Sequence, residues 1–234
     1  MPSEQRVVES LCLGLWQTNC YLLGDRELGT AVVIDPGQGG HPVVRQRLEA
    51  NGLRCEALLL THGHLDHLWA VPELARELDA PVLLHGDDRW LWDDPAAGFA
   101  DALPGALEAQ FGLRWEPPSE RLQALRDGMT LRLAGLRIEV RHTPGHTPGS
   151  CVFLLGERAD DDRVLLSGDL LFAGSVGRTD FPRGSWAEQV ASLQRVVLPL
   201  ADATQVLPGH GPETTVGAER RSNPYLAGLG PAAG

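Results

Sequence analysis

Lysine is absent from the 234-residue sequence: all 20 basic side chains are arginine, set against 31 acids for a net charge of −11. That balance argues against nucleic acid as a partner, because affinity for it rests on neutralising phosphates with basic side chains. Also missing is any apolar run near the roughly 18 residues that a membrane helix needs, so no membrane partner is expected. The N-terminus, MPSEQRVVES, lacks the basic-then-apolar order of a signal peptide, which leaves the cytoplasm as the expected compartment. Cysteine is scarce. Cys12, Cys20, Cys55 and Cys151 have no CxxC spacing and read as free buried thiols. Nor does any composition shift mark a linker, so residues 1–234 are expected to form one domain.

What is present is an alternation of strand and helix patterns, the signature of an α/β (α+β) chain. Val7 to Gln17, Cys20 to Gly24 and Thr30 to Asp35 read as strands, and Pro42 opens a helix that Gly52 closes. Glu56 to Leu60 is a buried strand, PELARELD from Pro72 a helix, and Pro81 to His85 the next strand. The texture of Gly86 to Asp127 is irregular, which suits a lid or substrate wall, and Trp90 and Trp92 within it are candidates for shaping an acyl pocket. Leu136 to Arg141, Cys151 to Leu155, Arg163 to Ser167 and Thr204 to Leu207 complete the strands. Ser185 and Glu188 form a capping box for a helix whose inner face carries Val190, Leu193, Val197 and Leu200.

Chemistry concentrates where strands end. THGHLDH packs His62, His64, Asp66 and His67 into six residues just after the strand Glu56 to Leu60, and all four side chains are ready ligands for a divalent metal. His146 sits between two Pro-Gly turns in TPGHTPGS, Asp169 follows the strand RVLLS, and His210 lies in PGHGP after the last strand. Taken singly, His146 and His210 read as hydrogen-bonded structural histidines and Asp169 as a cap or turn residue. Jointly, seven nitrogen and oxygen donors at equivalent strand-end positions match the demand of two metals sharing a carboxylate. Asp35, also at a strand end, is either a turn residue or an orienting partner for one of the imidazoles.

These motifs resemble the metal site of the metallo-β-lactamase superfamily over nearly the whole chain. VVIDPG at Val32 to Gly37, GHTPGS at Gly145 to Ser150, GDLLFAGSVGRTDF at Gly168 to Phe181 and PGHGPETTVGAERRSNPYL at Pro208 to Leu226 resemble the short glyoxalase II-type hydrolases within it. The resemblance implies a four-layer αββα sandwich with the site at one edge. It also implies that His62, His64 and His146 hold one metal, that Asp66, His67 and His210 hold the other, and that Asp169 bridges them. Zinc is the first candidate, with iron or manganese as alternatives, and Asp66 and Asp169 double as catalytic carboxylates.

Two cations about 3.5 to 4 Å apart can lower a bridging water's pKa toward neutrality and polarise a carbonyl, so the expected reaction is attack of that hydroxide on an acyl thioester. Long glyoxalase II enzymes use a C-terminal helical extension and lysines toward glutathione, whereas 24 residues follow His210 here and lysine is absent. A small-molecule acyl thioester is therefore expected over glutathione specifically, and a homodimer is left open. Arg178 and Asp180 in GRTDF are expected to pair with each other rather than touch substrate. The rival reading is a persulfide dioxygenase, in which His62, His146 and Asp169 would hold one non-haem iron. A β-lactamase, a nuclease and a non-enzymatic metal binder fit the same residues less well.

Overall fold

Two six-stranded mixed sheets stack face to face with helices on the outer face of each, in a computed structural model that describes residues 5–99, 106–156 and 163–230. The first sheet holds β1 (Arg6–Leu13), β2 (Thr18–Asp25), β3 (Thr30–Ile34), β4 (Arg54–Leu59), β5 (Val82–His85) and β6 (Leu122–Leu125) in chain order. Its first three strands are antiparallel and the remainder run parallel. Between these strands lie α1 (Gly40–Asn51), α2 (Leu65–Leu68), α3 (Val71–Glu77), α4 (Arg89–Asp93) and α5 (Ala106–Phe111).

The second sheet runs β12-β11-β10-β9-β8-β7, built from β7 (Thr130–Leu133), β8 (Leu136–His142), β9 (Cys151–Leu155), β10 (Val164–Gly168), β11 (Gln205–Pro208) and β12 (Thr214–Thr215). Only the β10–β11 pair in it is parallel. The helices α6 (Trp186–Ser192) and α7 (Val216–Ser222) belong to this half.

Side-chain alternation along a strand decides which layer each residue joins. From β2 and β3, Tyr21, Leu23, Val32 and Ile34 face the opposite sheet and meet Ile138, Val140, Phe153 and Leu166 there. Their neighbours Cys20, Leu22, Ala31 and Val33 face outward and pack under the helices with Val44, Leu48, Leu68 and Leu74. Val152, Leu154, Leu165 and Val206 do the same on the far side, beneath Leu193, Val197 and Val216. Burial on both faces explains why AVVI and ALL are unbroken apolar runs.

Several expectations shift. β1 ends at Leu13 instead of Gln17, because the chain turns through Gly14 and Gln17, both at positive φ (65° and 54°). Within the stretch read as irregular, β6 adds a parallel strand beside β5, with Val82 opposite Leu122. On α6 it is Gln189 that is buried while Val190 is half-buried; the helix then widens into a π-type turn at Leu193–Val197, which turns Leu193 and Val197 inward. Cys12 is exposed, and the other three cysteines are buried and free. No helix among the described residues is long and apolar enough to cross a membrane.

Candidate metal centre

The loops that leave β3, β4, β10 and β11, together with the β8–β9 connection, converge at one edge of the sandwich. Asp35 anchors the arrangement. It sits at φ 52°, a left-handed conformation that costs energy for a non-glycine residue. That backbone aims its carboxylate at the next loop, where it accepts from the Thr61 N–H at 2.8 Å and the Thr61 hydroxyl at 2.7 Å. The same carboxylate lies 3.0 Å from His67 Nδ1. Of its two sequence readings, the orienting partner is the one its contacts support.

His62, His64 and His146 form one donor set, with candidate ligand atoms mutually within 4.8 Å. The Nδ1 of His146 donates to the Arg178 carbonyl at 2.6 Å, which leaves its Nε2 as a lone-pair donor 2.8 Å from His64 Nδ1. His62 places Nδ1 3.1 Å from the Thr61 hydroxyl, and its Nε2 is buried with no hydrogen-bond partner. Asp66, His67 and His210 form the other set. There His210 Nδ1 donates to the Trp16 carbonyl at 3.1 Å, so its Nε2 faces Asp66 Oδ2 at 3.2 Å. The Thr18 hydroxyl donates to the same Asp66 oxygen at 2.9 Å.

Asp169 stands between the sets. Its Oδ2 is 3.5 Å from His146 Nε2 and 3.7 Å from His210 Nε2, and its Oδ1 is 3.4 Å from His67 Nε2. That Oδ1 is buried without a hydrogen-bond partner, as is His64 Nε2. A buried polar atom left unpaired costs about 1–3 kcal/mol, and a cation between the sets would meet both His62 Nε2 and Asp169 Oδ1. The donor set therefore fits divalent metal. Gly209 makes the close approach feasible, since a Cβ there would lie 2.8 Å from His67 Cε1 and collide with Asp169.

The two sets differ in charge. Burial, and then the neighbouring imidazoles, push His62 and His64 well below the usual histidine range, so both are neutral donors at neutral pH. Burial also opposes charge on His67, but Asp66, Asp169 and Asp35 override it and push the imidazole up to about 10. Burial likewise works against ionising Asp66, yet the charge of His67 and the contact with His210 hold it well below the usual carboxylate range. This half thus carries its own positive charge where its carboxylates call for a cation. Replacing Asp35 with alanine is expected to weaken metal binding in the Asp66–His67–His210 set about 10–100-fold, read by competition with a chelator, because His67 loses its orienting partner. Unchanged affinity would deny Asp35 that role.

All seven candidate residues come together at this edge, braced by contacts that the sequence did not reveal. Asn19 Nδ2 donates to the Pro208 and Gly211 carbonyls at 3.0 and 2.9 Å, and the Tyr21 hydroxyl donates to Pro208 O at 2.7 Å, which fixes the loop of His210. Asp88, fully buried, accepts from the Gly63 N–H at 2.8 Å, the Gly149 N–H at 2.7 Å and the Thr147 hydroxyl at 2.7 Å. It ties the His62–His64 loop to the loop of His146. Arg178 and Asp180 pair with each other as expected. Trp90 and Trp92 do not line the cavity over the site. Trp92 is buried against Trp115, and Trp90 lies under Arg183.

A separate group, His85, Asp87 and His142, also brings ligand atoms within 4.8 Å of one another. Its nitrogens nearest Asp87 are already engaged, His142 Nε2 by the Pro148 carbonyl at 2.8 Å and His85 Nδ1 by the Asp87 N–H at 3.3 Å. Those partners make it a stacked, hydrogen-bonded pair of rings (4.0 Å, 11°) rather than an open donor set.

The domain model of the Metallo-beta-lactamase superfamily matches residues 13–210. Hydroxyacylglutathione hydrolase GloC of Haemophilus influenzae is 37% identical over 221 residues, which cover 94% of this chain and 97% of that relative. Among solved structures, the BLEG-1 B3 metallo-β-lactamase matches with a TM-score of 0.78 at 35% identity, covering 95% of this chain and 100% of that one. The crystal structure of TTHA1623 in a di-iron-bound form matches with a TM-score of 0.75 at 39% identity, covering 94% and 100%.

Proposed function

Because the chain belongs to the metallo-β-lactamase superfamily, whose fold binds divalent metals, we propose that it is a binuclear metal-dependent hydrolase of acyl thioesters. The observation that carries the reading is the placement of Asp169, one carboxylate within 3.7 Å of donors from both sets. His62, His64 and His146 would hold one ion and Asp66, His67 and His210 the other, with Asp169 spanning them. Zinc, or iron as in the di-iron relative, would when bound supply hydroxide at neutral pH and polarise the substrate carbonyl.

The chain's own residues supply the rest. Asp35, Trp16 and Arg178 fix three imidazole orientations through the ring nitrogen that faces away from the site. No serine or cysteine stands among the described residues lining the cavity, so the nucleophile is drawn from water. A thiolate leaves with little help, since a thiol pKa is about 8.5, and no general acid is required at the departing sulfur. GloC, a hydroxyacylglutathione hydrolase by name, supports a thioester over other acyl substrates.

The purified protein is expected to carry two metal ions per chain and to hydrolyse acyl thioesters about 100-fold faster than matched oxygen esters. Likeness to BLEG-1 makes β-lactams the other necessary comparison, and they are expected to react slowly. Equal rates on all three classes would remove the thioester assignment. The second reading, an iron-dependent persulfide dioxygenase using His62, His146 and Asp169, draws on the di-iron relative but gives Asp66, His67 and His210 no task. One iron per chain with oxygen uptake on a persulfide would favour it.

A further inference from the structure

The cavity above the donor sets has a volume of about 410 Å³, within the roughly 300–1,000 Å³ that suits a small organic ligand. Apart from the candidate donors and Arg178, its walls are apolar, chiefly Trp16, Leu65, Phe99, Phe172, Val176 and Phe181. Two of the rings flank the reacting position. Phe181 meets His64 of the three-histidine set edge-on at 5.4 Å, and Phe172 meets His210 of the other set edge-on at 5.9 Å. A carbonyl seated between the sets would thus have a phenyl ring on each side, one toward its acyl group and one toward its thiol.

Charge in the same cavity points the same way. Arg178 is the one basic side chain other than histidine among the described lining residues. Its guanidinium is bound at two points by Asp180, at 2.6 and 2.7 Å, and lies 4.2 Å above the Phe181 ring. A glutathione thioester brings two carboxylates, and this lining offers them no unpaired cation apart from the metal centre.

Resting on the thioester-hydrolase reading, we propose that this site takes thioesters that are apolar and uncharged on both sides of the reacting bond, in preference to acyl derivatives of glutathione. Burial of alkyl or aryl groups against the six apolar walls would supply the binding that ionic contacts supply elsewhere. Asp180 acts in this scheme as a specificity residue, by occupying Arg178.

Two non-hydrolysable thioethers with one alkyl group test the preference on the metal-loaded protein: S-hexyl-N-acetylcysteamine, which is neutral, and S-hexylglutathione. The neutral compound is expected to bind at least ten times more tightly by titration calorimetry. Equal or tighter binding of S-hexylglutathione overturns the proposal. Asp180→Ala frees Arg178 and is expected to tighten S-hexylglutathione at least threefold while leaving the neutral thioether unchanged. Unchanged binding of both would overturn the part assigned to the ion pair. The corresponding hexanoyl thioesters, assayed in parallel, separate this proposal from the one beneath it. Hydrolysis that favours the glutathione thioester sinks the apolar preference alone, whereas the expected binding order with neither thioester hydrolysed sinks the hydrolase reading and leaves the pocket's preference standing.

Discussion

An Asp169→Ala protein is expected to hold at most one metal ion per chain and to lose turnover by more than about 10³-fold. The carboxylate lies within 3.4–3.7 Å of nitrogen donors from both sets, so its removal takes a ligand from each position at once. The three-histidine set keeps the neutral donors His62 and His64 and can retain an ion weakly. The other set keeps a single carboxylate, Asp66, beside an imidazole whose proton competes with metal. Asp169→Asn is the sharper control, because it keeps the side chain's size and removes its charge. Elemental analysis after exhaustive dialysis, together with thioester turnover, reads both effects. Two tightly held ions in either variant would show that the acid does not span the pair, and with it the binuclear reading would fall.

The seven candidates that converge at one edge were legible because their chemistry is local. THGHLDH packs four potential ligands behind a strand whose buried apolar run is unmistakable, and the Pro-Gly turns around His146 and His210 mark chain reversals at strand ends. The layers themselves came from the resemblance alone, since CYLL and AVVI are unbroken apolar runs in which nothing separates the residues facing the other sheet from those under the helices. Two kinds of feature escaped. β6 is four residues long with a mostly exposed pattern, so nothing in LQAL separates an edge strand from a loop. Support contacts were invisible because they span distant positions: Asn19 and Tyr21 brace a loop almost 190 residues away. Trp90 and Trp92 misled for the converse reason, that an aromatic near a site can be pocket wall or core: Trp92 is core, packed on Trp115, and Trp90 is half-buried under Arg183.

Asp88 carries the second large expectation. It lies in the stretch Gly86 to Asp127 that the sequence shows only as irregular, yet this carboxylate is fully buried and receives three hydrogen bonds from two loops, 25 and about 60 residues away. Burial raises its carboxyl, and the three donors oppose that rise. In Asp88→Ala the Gly63 and Gly149 amides and the Thr147 hydroxyl lose their acceptor together. Each buried donor left unpaired costs roughly 1–3 kcal/mol, so with some relaxation the protein is expected to lose about 3–5 kcal/mol in denaturant unfolding of the apo form. Because Gly63 separates His62 from His64 and Thr147 adjoins His146, metal affinity should fall about 10–100-fold in the three-histidine set and stay unchanged in the other. That selectivity distinguishes a clamp on one donor set from general destabilisation, which would weaken both. Gly149→Ala offers an independent check that leaves the charge in place: its new Cβ would sit 2.6 Å from Asp88 Cγ, forcing the His146 loop away from the clamp and lowering affinity in the same set. If both variants bind the two ions as the parent does, Asp88 supports the sandwich without positioning the ligands.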